Sequence, residues 1–377
     1  MTNYDPIRDA NEGMPKKARI ESLPYAPKRR VFPPKSMLVP IRDEEVQELW
    51  QRSQNPLRRG AAELPEEPVP DQTDMVATHY NMRQEVGVEE RENSPIIGLK
   101  RFNNWVKSAL IDMWSLRTDG GRRVLDLGCG KGGDLKKWDR KRPTYMVMID
   151  IAEVSVEQAR TRYQQGGFNW PAVFFAFDCF SEPLDAHVPE DALAPLFDNV
   201  SLQFCMHYGW DSETHARTML ENIARWLKPG ATVVGTIPDA ETLYARLDAL
   251  PDTGDVSFGN SKYRVEFESR ERPTSGFGHK YTFWLEDAVD CVPEYVIEWD
   301  HLVQLASEYG LEPVYRARFD QVLMDGFAKP SLRTLLERMR VINVQLAQET
   351  GEVEPDMSTD MWDVCTLYLA FCFKKVP

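Results

Sequence analysis

Apolar residues recur at helical spacing between Ile97 and Trp114, with Leu99, Phe102, Val106, Leu110 and Met113 on one face, so the pattern predicts an amphipathic helix there. The period then shortens. Apolar runs at 124–127, 145–149 (ending at Asp150), 172–177 (ending at Asp178), 197–204 and 231–237 predict five strands. Helical stretches at 132–138, 153–163 and 212–227 fall between them, and Lys228-Pro229-Gly230 reads as a turn before the fifth strand. Strands alternating with helices at this spacing predict an α/β fold with a doubly wound, mostly parallel sheet. After Pro238 the beat loosens, with expected strands near 262–269, 279–285 and 312–319 and helices at 299–309 and 331–348. A last strand, 366–374, is expected to enter the sheet antiparallel.

The first 75 residues break the pattern. Prolines in PKRRVFPP (27–34) and LPEEPVPD (64–71) block helix and central strand, which predicts a basic, disordered arm over 1–75 and a globular domain over 76–377. Only 43–50 is expected to be helical within the arm. The net charge of −14 argues against a uniformly nucleic-acid-binding surface. The arm is the exception, because residues 1–60 hold twelve Lys/Arg against eight Asp/Glu, a balance of +4. The six cysteines show no C-x-x-C spacing, so reduced thiols are expected and neither a disulfide frame nor a metal site. No run reaches the ~20 apolar residues of a membrane span, and the amino terminus has no signal-peptide core, so an intracellular protein is expected.

The most specific local pattern is VLDLGCGKGGD at 124–134. A buried strand ends at Asp126, and Gly128, Gly130, Gly132 and Gly133 crowd the turn before a helix, as required where backbone turns tightly and a ligand lies against it. No Gly-Lys-Ser/Thr follows to hold Mg²⁺. An acid before the glycines repels pyrophosphate and suits the ammonium of a methionine moiety. Asp150, 22 residues beyond Gly128, suits ribose hydroxyls, and Asp178 at the third strand end suits an adenine amine. The expected cofactor is S-adenosylmethionine.

Further strings accompany this motif in order: HYN (79–81) with QEVG (84–87), RFNNWVKSALI (101–111), DIAEVSVEQARTRY (150–163), QFCMHY (203–208), SFGNSKYRVEF (257–267), VPEY (292–295) and LYLAF (367–371). Together they resemble the eukaryotic mRNA cap guanine-N7 methyltransferases from about Thr78 to the carboxy terminus. The resemblance implies a Rossmann-like class I S-adenosylmethionine-dependent methyltransferase that converts GpppN to m7GpppN and releases S-adenosylhomocysteine. It implies cofactor contacts from Lys107, Gly128, Asp150, Asp178, Gln203 and Tyr208, which join Asp126 and Gly130 of the motif. It places Asn103, Asn104, His207, Glu294 and Tyr368 around the cap guanosine with Pro238 beside it, and Lys131, Lys137 and Arg162 toward the cap phosphates. Two departures are visible: Gly209-Trp210 stands where Ser-Phe is commoner, and Asp239 where Asn is commoner.

The residue types suit the reaction. Guanine N7 has a lone pair and no proton to lose, so transfer needs positioning and not a general base. His207, Glu294 and Tyr368 are the expected catalytic residues. Glu294 can accept from guanine N1–H and the exocyclic amine, and His207 can donate to O6. Each residue also has a bland reading, as strand-end histidine, loop acid or core tyrosine. Another acceptor on the same fold, or a non-catalytic cap-binding subunit, remains open at this level. The expected partners are the capped pre-mRNA 5′ end, with capping enzyme, RNA polymerase or an activating subunit as candidates. No membrane is expected. Basic clusters at 16–19 and 28–30 suit nuclear import, so the nucleus is the expected location.

Overall fold

The structure is a computed structural model that describes residues 72–82 and 92–376, apart from 119, 253, 344–346 and 348. Most of the arm, with its basic clusters and the expected helix at 43–50, lies outside the described residues, as does QEVG at 84–87. The first described helix, α1 (Gln72–Met82), begins within the segment assigned to the arm. Next comes α2 (Ile97–Trp114), with the bounds its apolar spacing predicts.

The alternating core follows as β1 (Arg123–Leu127), α3 (Leu135–Asp139), β2 (Tyr145–Asp150), α4 (Glu153–Gln165), β3 (Ala172–Ala176), β4 (Phe197–Gln203), α5 (Glu213–Arg225) and β5 (Leu227–Pro238). The helix expected from Gly132 starts only at Leu135, because Gly132 at φ 69° still belongs to the turn. The expected turn at Lys228-Pro229-Gly230 lies inside β5. There the pairing with β4 jumps from Phe197↔Leu227 to Asn199↔Thr232, so the extra residues are held as a bulge and not as a connection. Ser212 caps α5 by accepting from His215 N–H at 3.2 Å, a contact worth ~1 kcal/mol.

Beyond β5 the chain forms α6 (Ala240–Asp248), β6 (Ser257–Gly259), β7 (Tyr263–Phe267), β8 (Lys280–Leu285), β9 (Val289–Tyr295), α7 (Trp299–Glu308) and β10 (Leu311–Arg318). It ends with α8 (Phe319–Ala328), α9 (Pro330–Arg338), α10 (Thr359–Cys365) and β11 (Tyr368–Lys375). The helix expected over 331–348 stops at Arg338, where Arg340 at φ 54° turns the chain. Its Leu332, Leu335 and Leu336 are buried in the domain's own core.

The main sheet has the order β10-β11-β5-β4-β1-β2-β3, with β11 antiparallel to both neighbours and the inner pairs parallel. The expected doubly wound sheet with a late antiparallel strand is therefore present. β1 lies between β4 and β2, so the order reverses there and opens a crevice at the strand ends. A second, antiparallel sheet has the order β6-β7-β8-β9, of which the sequence pattern predicts only β7 and β8, as isolated strands. Its alternating Tyr263, Val265, Phe267 and Tyr281, Phe283, Leu285 are buried in a core shared with α2, α6 and β11. That packing holds β9 beside the crevice.

Candidate active site

The crevice holds a cavity of about 330 Å³, within the range of small-molecule sites. Gly128, Gly130, Asp150, Asp178, Gln203 and Tyr208 line it, as do Lys107, Lys131 and Arg162. Gly128 has φ 68°, and a Cβ there would stand 2.6 Å from the Cys205 side chain. Gly130 also has positive φ, yet a Cβ on it would meet nothing within 4 Å. The first glycine is required by packing; the second keeps the cavity floor open. Asp150 braces the turn, accepting from Gly130 N–H at 2.7 Å and Ala152 N–H at 2.9 Å.

Beneath this floor the charges are tightly arranged. Asp126 is buried, its Oδ2 has no hydrogen-bond partner, and it does not line the cavity. Burial, followed by the neighbouring Asp134 charge, pushes its carboxyl up to about 8. Burial would raise Asp134 too, but Lys107 at 2.9 Å and Lys137 at 2.8 Å hold it below the usual carboxylate range.

Lys137 and Asn104 are placed differently from the expectation. The Lys137 ammonium is buried between Asp134, Gly133 O at 3.0 Å and Asn104 Oδ1 at 2.9 Å. The Asn104 amide also donates to Lys100 O. Both side chains are committed to joining α2 to α3, and neither lines the cavity. Asn103, Pro238, His207, Glu294 and Tyr368 are not in the cavity lining either.

The last three, with Pro238, form an adjoining buried cluster. Pro293 and Tyr295 face the cavity from β9, while Glu294 between them points into the cluster, as strand alternation requires. Tyr281, opposite it across the β8–β9 ladder, donates to Glu294 Oε2 at 2.7 Å. Tyr208 donates to Oε1 at 3.4 Å and so links the cluster to the cavity. His207 Nε2 lies 3.4 Å from the same Oε1 without hydrogen-bond geometry. Its side chain is 2% exposed, yet neither ring nitrogen has a hydrogen-bond partner. Tyr368 pairs with Pro238 across β11–β5, and its ring meets Phe204 at 5.1 Å.

Sequence reasoning missed several residues here. Phe204 follows β4 at φ 60°, an unfavourable conformation for an aromatic residue, and lines the cavity. No sequence signal marks that turn. Tyr281 was detectable as a buried strand position but not as Glu294's partner. Tyr80 of α1 lines the cavity, with its hydroxyl 3.0 Å from that of Tyr208. Asp134 stood within the quoted motif, three residues before Lys137. The two departures also have structural explanations. Gly209 leaves room for the Phe180 side chain, whose Cβ a Cβ at 209 would approach to 3.1 Å, and Trp210 is buried, donating to Gly276 O. Asp239 caps α6 by accepting from Thr242 N–H and hydroxyl.

The model of the mRNA (guanine-N(7))-methyltransferase domain matches residues 65–376. The chain belongs to this family. It therefore has the class I fold of S-adenosylmethionine-dependent methyltransferases, and S-adenosylmethionine is the family's methyl donor. The domain is 47% identical over 307 residues to the mRNA cap guanine-N(7) methyltransferase of Cryptococcus neoformans var. neoformans serotype D (strain JEC21 / ATCC MYA-565), covering 80% of this chain and 48% of that protein. It is 41% identical over 315 residues to mRNA cap guanine-N(7) methyltransferase 1 of Oryza sativa subsp. japonica, covering 80% of each. The Schizosaccharomyces pombe enzyme is 40% identical over 307 residues, covering 80% of this chain and 82% of that protein. The chain spans about half the length of the Cryptococcus relative. No described helix is long and apolar enough to cross a membrane.

Proposed function

We propose that this chain transfers a methyl group from S-adenosylmethionine to N7 of the guanosine cap of mRNA, giving m7GpppN and S-adenosylhomocysteine. The observation that carries this reading is the buried His207–Glu294 pair joined to the cavity through Tyr208, with neither His207 nitrogen engaged in a hydrogen bond. A carboxylate and an imidazole converging in a buried aromatic cluster suit the Watson–Crick edge and O6 of guanine.

The groups around the cavity fit the cofactor. Lys107 would face its methionine end, Asp150 the ribose, and Asp178 with Gln203 the adenine, over the open floor at Gly130, while Asp126 stays beneath that floor and outside the lining. When bound, S-adenosylmethionine supplies an electrophilic methyl on a sulfonium, whose C–S bond breaks as the N7–C bond forms. The chain's own residues orient the acceptor. Glu294 accepts from N1–H and the amine, and its negative charge favours the positive charge that moves onto the base. His207 donates to O6. Tyr368 and Phe204 supply ring faces, with Pro238 and Asn103 beside them. Lys131 and Arg162 on the cavity wall face the cap phosphates. No residue has to remove a proton.

The catalytic domain spans 76–377, and the basic arm before it serves import into the nucleus. Capping enzyme, RNA polymerase or an activating subunit are candidate partners of the capped transcript's enzyme. The test is transfer of labelled methyl to GpppA- or GpppG-capped RNA beside uncapped RNA. Glu294→Ala and His207→Ala are each expected to lower kcat/KM at least ~10-fold, from the ~1.5–3 kcal/mol of a hydrogen bond to a charged group. Cofactor binding without transfer to capped RNA would sink the assignment.

A further inference from the structure

A second recess, of about 170 Å³, opens between α2, α3 and α9 and shares no lining residue with the cofactor cavity. Lys137, Arg140, Lys141 and Arg338 line it, with Asp112 as the acid among its lining residues. Lys141 pairs with Asp112, and Lys137 with Asp134. The guanidinium groups of Arg140 and Arg338 make no hydrogen bond or ion pair among the described residues, and Arg140 lies close enough to feel both the like charge of Arg338 and the opposite charge of Asp112. The α9 wall begins with Ser331 and Leu332, first-turn residues whose N–H groups have no intrahelical acceptor. Two guanidinium groups without an ion-pair partner among the described residues, Arg140 after α3 and Arg338 at the end of α9, line one recess in a chain of net charge −14, a local reversal of charge that suits an anion.

The geometry points to a phosphate-binding site in this recess, gripped by Arg140 and Arg338, that holds a backbone phosphate of the transcript downstream of the cap. The identity of the phosphate rests on the proposed cap methylation; the site itself does not. Paired guanidinium groups match the oxygens of a phosphate better than a single ammonium does. Lys137 contributes charge from below but is tied to Asp134, so the test leaves it intact.

The test uses the full chain carrying Arg140→Gln and Arg338→Gln together. A second variant, Arg338→Glu, fills the recess with a carboxylate that Arg140 can pair with. Turnover of a capped dinucleotide is expected to stay within twofold of wild type in both, while KM for a long capped RNA rises about 3–10-fold. The slope of log affinity against log salt should become shallower by about 1.4 for two lost contacts to a single strand. Inorganic phosphate should raise the melting temperature of the wild type and not of either variant. Phosphate stabilisation specific to the wild type, with unchanged KM for long RNA, would support the site and overturn the transcript as its ligand. Equal phosphate response and equal RNA KM in all three proteins would overturn the site. A wild type that binds cofactor but methylates no capped substrate would overturn the cap reading, and the melting measurement would still decide the site.

Discussion

At the scale of single residues, the arrangement turns on buried carboxylates whose partners decide what they can do. Glu294 is fixed by the Tyr281 hydroxyl at 2.7 Å, and both groups are buried. Tyr281→Phe removes that donor while keeping the ring, leaving a carboxylate oxygen unpaired at a cost of ~1–3 kcal/mol. KM for capped RNA is expected to rise while KM for S-adenosylmethionine stays level; steady-state kinetics on each substrate decides, and a parallel rise in both would show a general packing defect. Asp126 makes a different prediction. Its value rises from 3.8 in the unfolded chain to about 8 in the folded one. The folded protein thus keeps a proton that the unfolded chain has released. The stability from this group is complete below 3.8 and is lost as pH rises toward about 8, at ~1.4 kcal/mol per pH unit. Asp134 has the opposite sign, but its window lies below 3.8. Melting measured from about pH 5 to 8 should fall more steeply for wild type than for Asp126→Asn, whose amide does not titrate there. Parallel profiles would show that Asp126 is ionised throughout.

At the scale of elements, the alternating half of the molecule could be read because each of its elements buries one stripe at its own period. α2 and the strands from β1 to β5 fall within a few residues of their apolar runs, and Asp150 ends β2 as expected, whereas Asp126 lies inside β1 and Asp178 two residues beyond β3. The second half was harder because α6, α8 and α10 are short and draw their burial from several neighbours at once. α8 shows the difficulty. Its Gly326 lowers helix propensity, yet the helix forms because the missing side chain admits Trp105, whose ring atoms would stand 2.5 Å from a Cβ. No local pattern announces a contact between residues 221 positions apart. Gly326→Leu should therefore destabilise the protein by ~1–3 kcal/mol despite its better helix propensity, as read by chemical denaturation. A neutral or stabilising result would mean that α8 does not dock on α2. The same non-locality hid the Tyr281–Glu294 pair. It also hid the commitment of Lys137 and Asn104 to each other, which from sequence looked like two ligand contacts.

At the scale of the whole molecule, charge separates the chain into two regimes. Residues 1–60 carry +4 and the remaining 317 carry −18, so a polyanionic substrate must meet local basic surface at the site or at the arm. The family match begins at residue 65, and the residues assigned to the cavity and its adjoining cluster lie between Val76 and Tyr368. Chemistry on a minimal cap should accordingly be indifferent to the arm's charge, while nuclear accumulation should depend on it. Changing Lys28, Arg29 and Arg30 together to Ala is expected to leave turnover of a short capped substrate within about twofold, since no positioning group is removed. Fluorescence of the tagged protein in cells should shift from nucleus to cytoplasm. Import retained together with a tenfold fall in turnover would reverse the assignment, making the arm a steering element for the transcript.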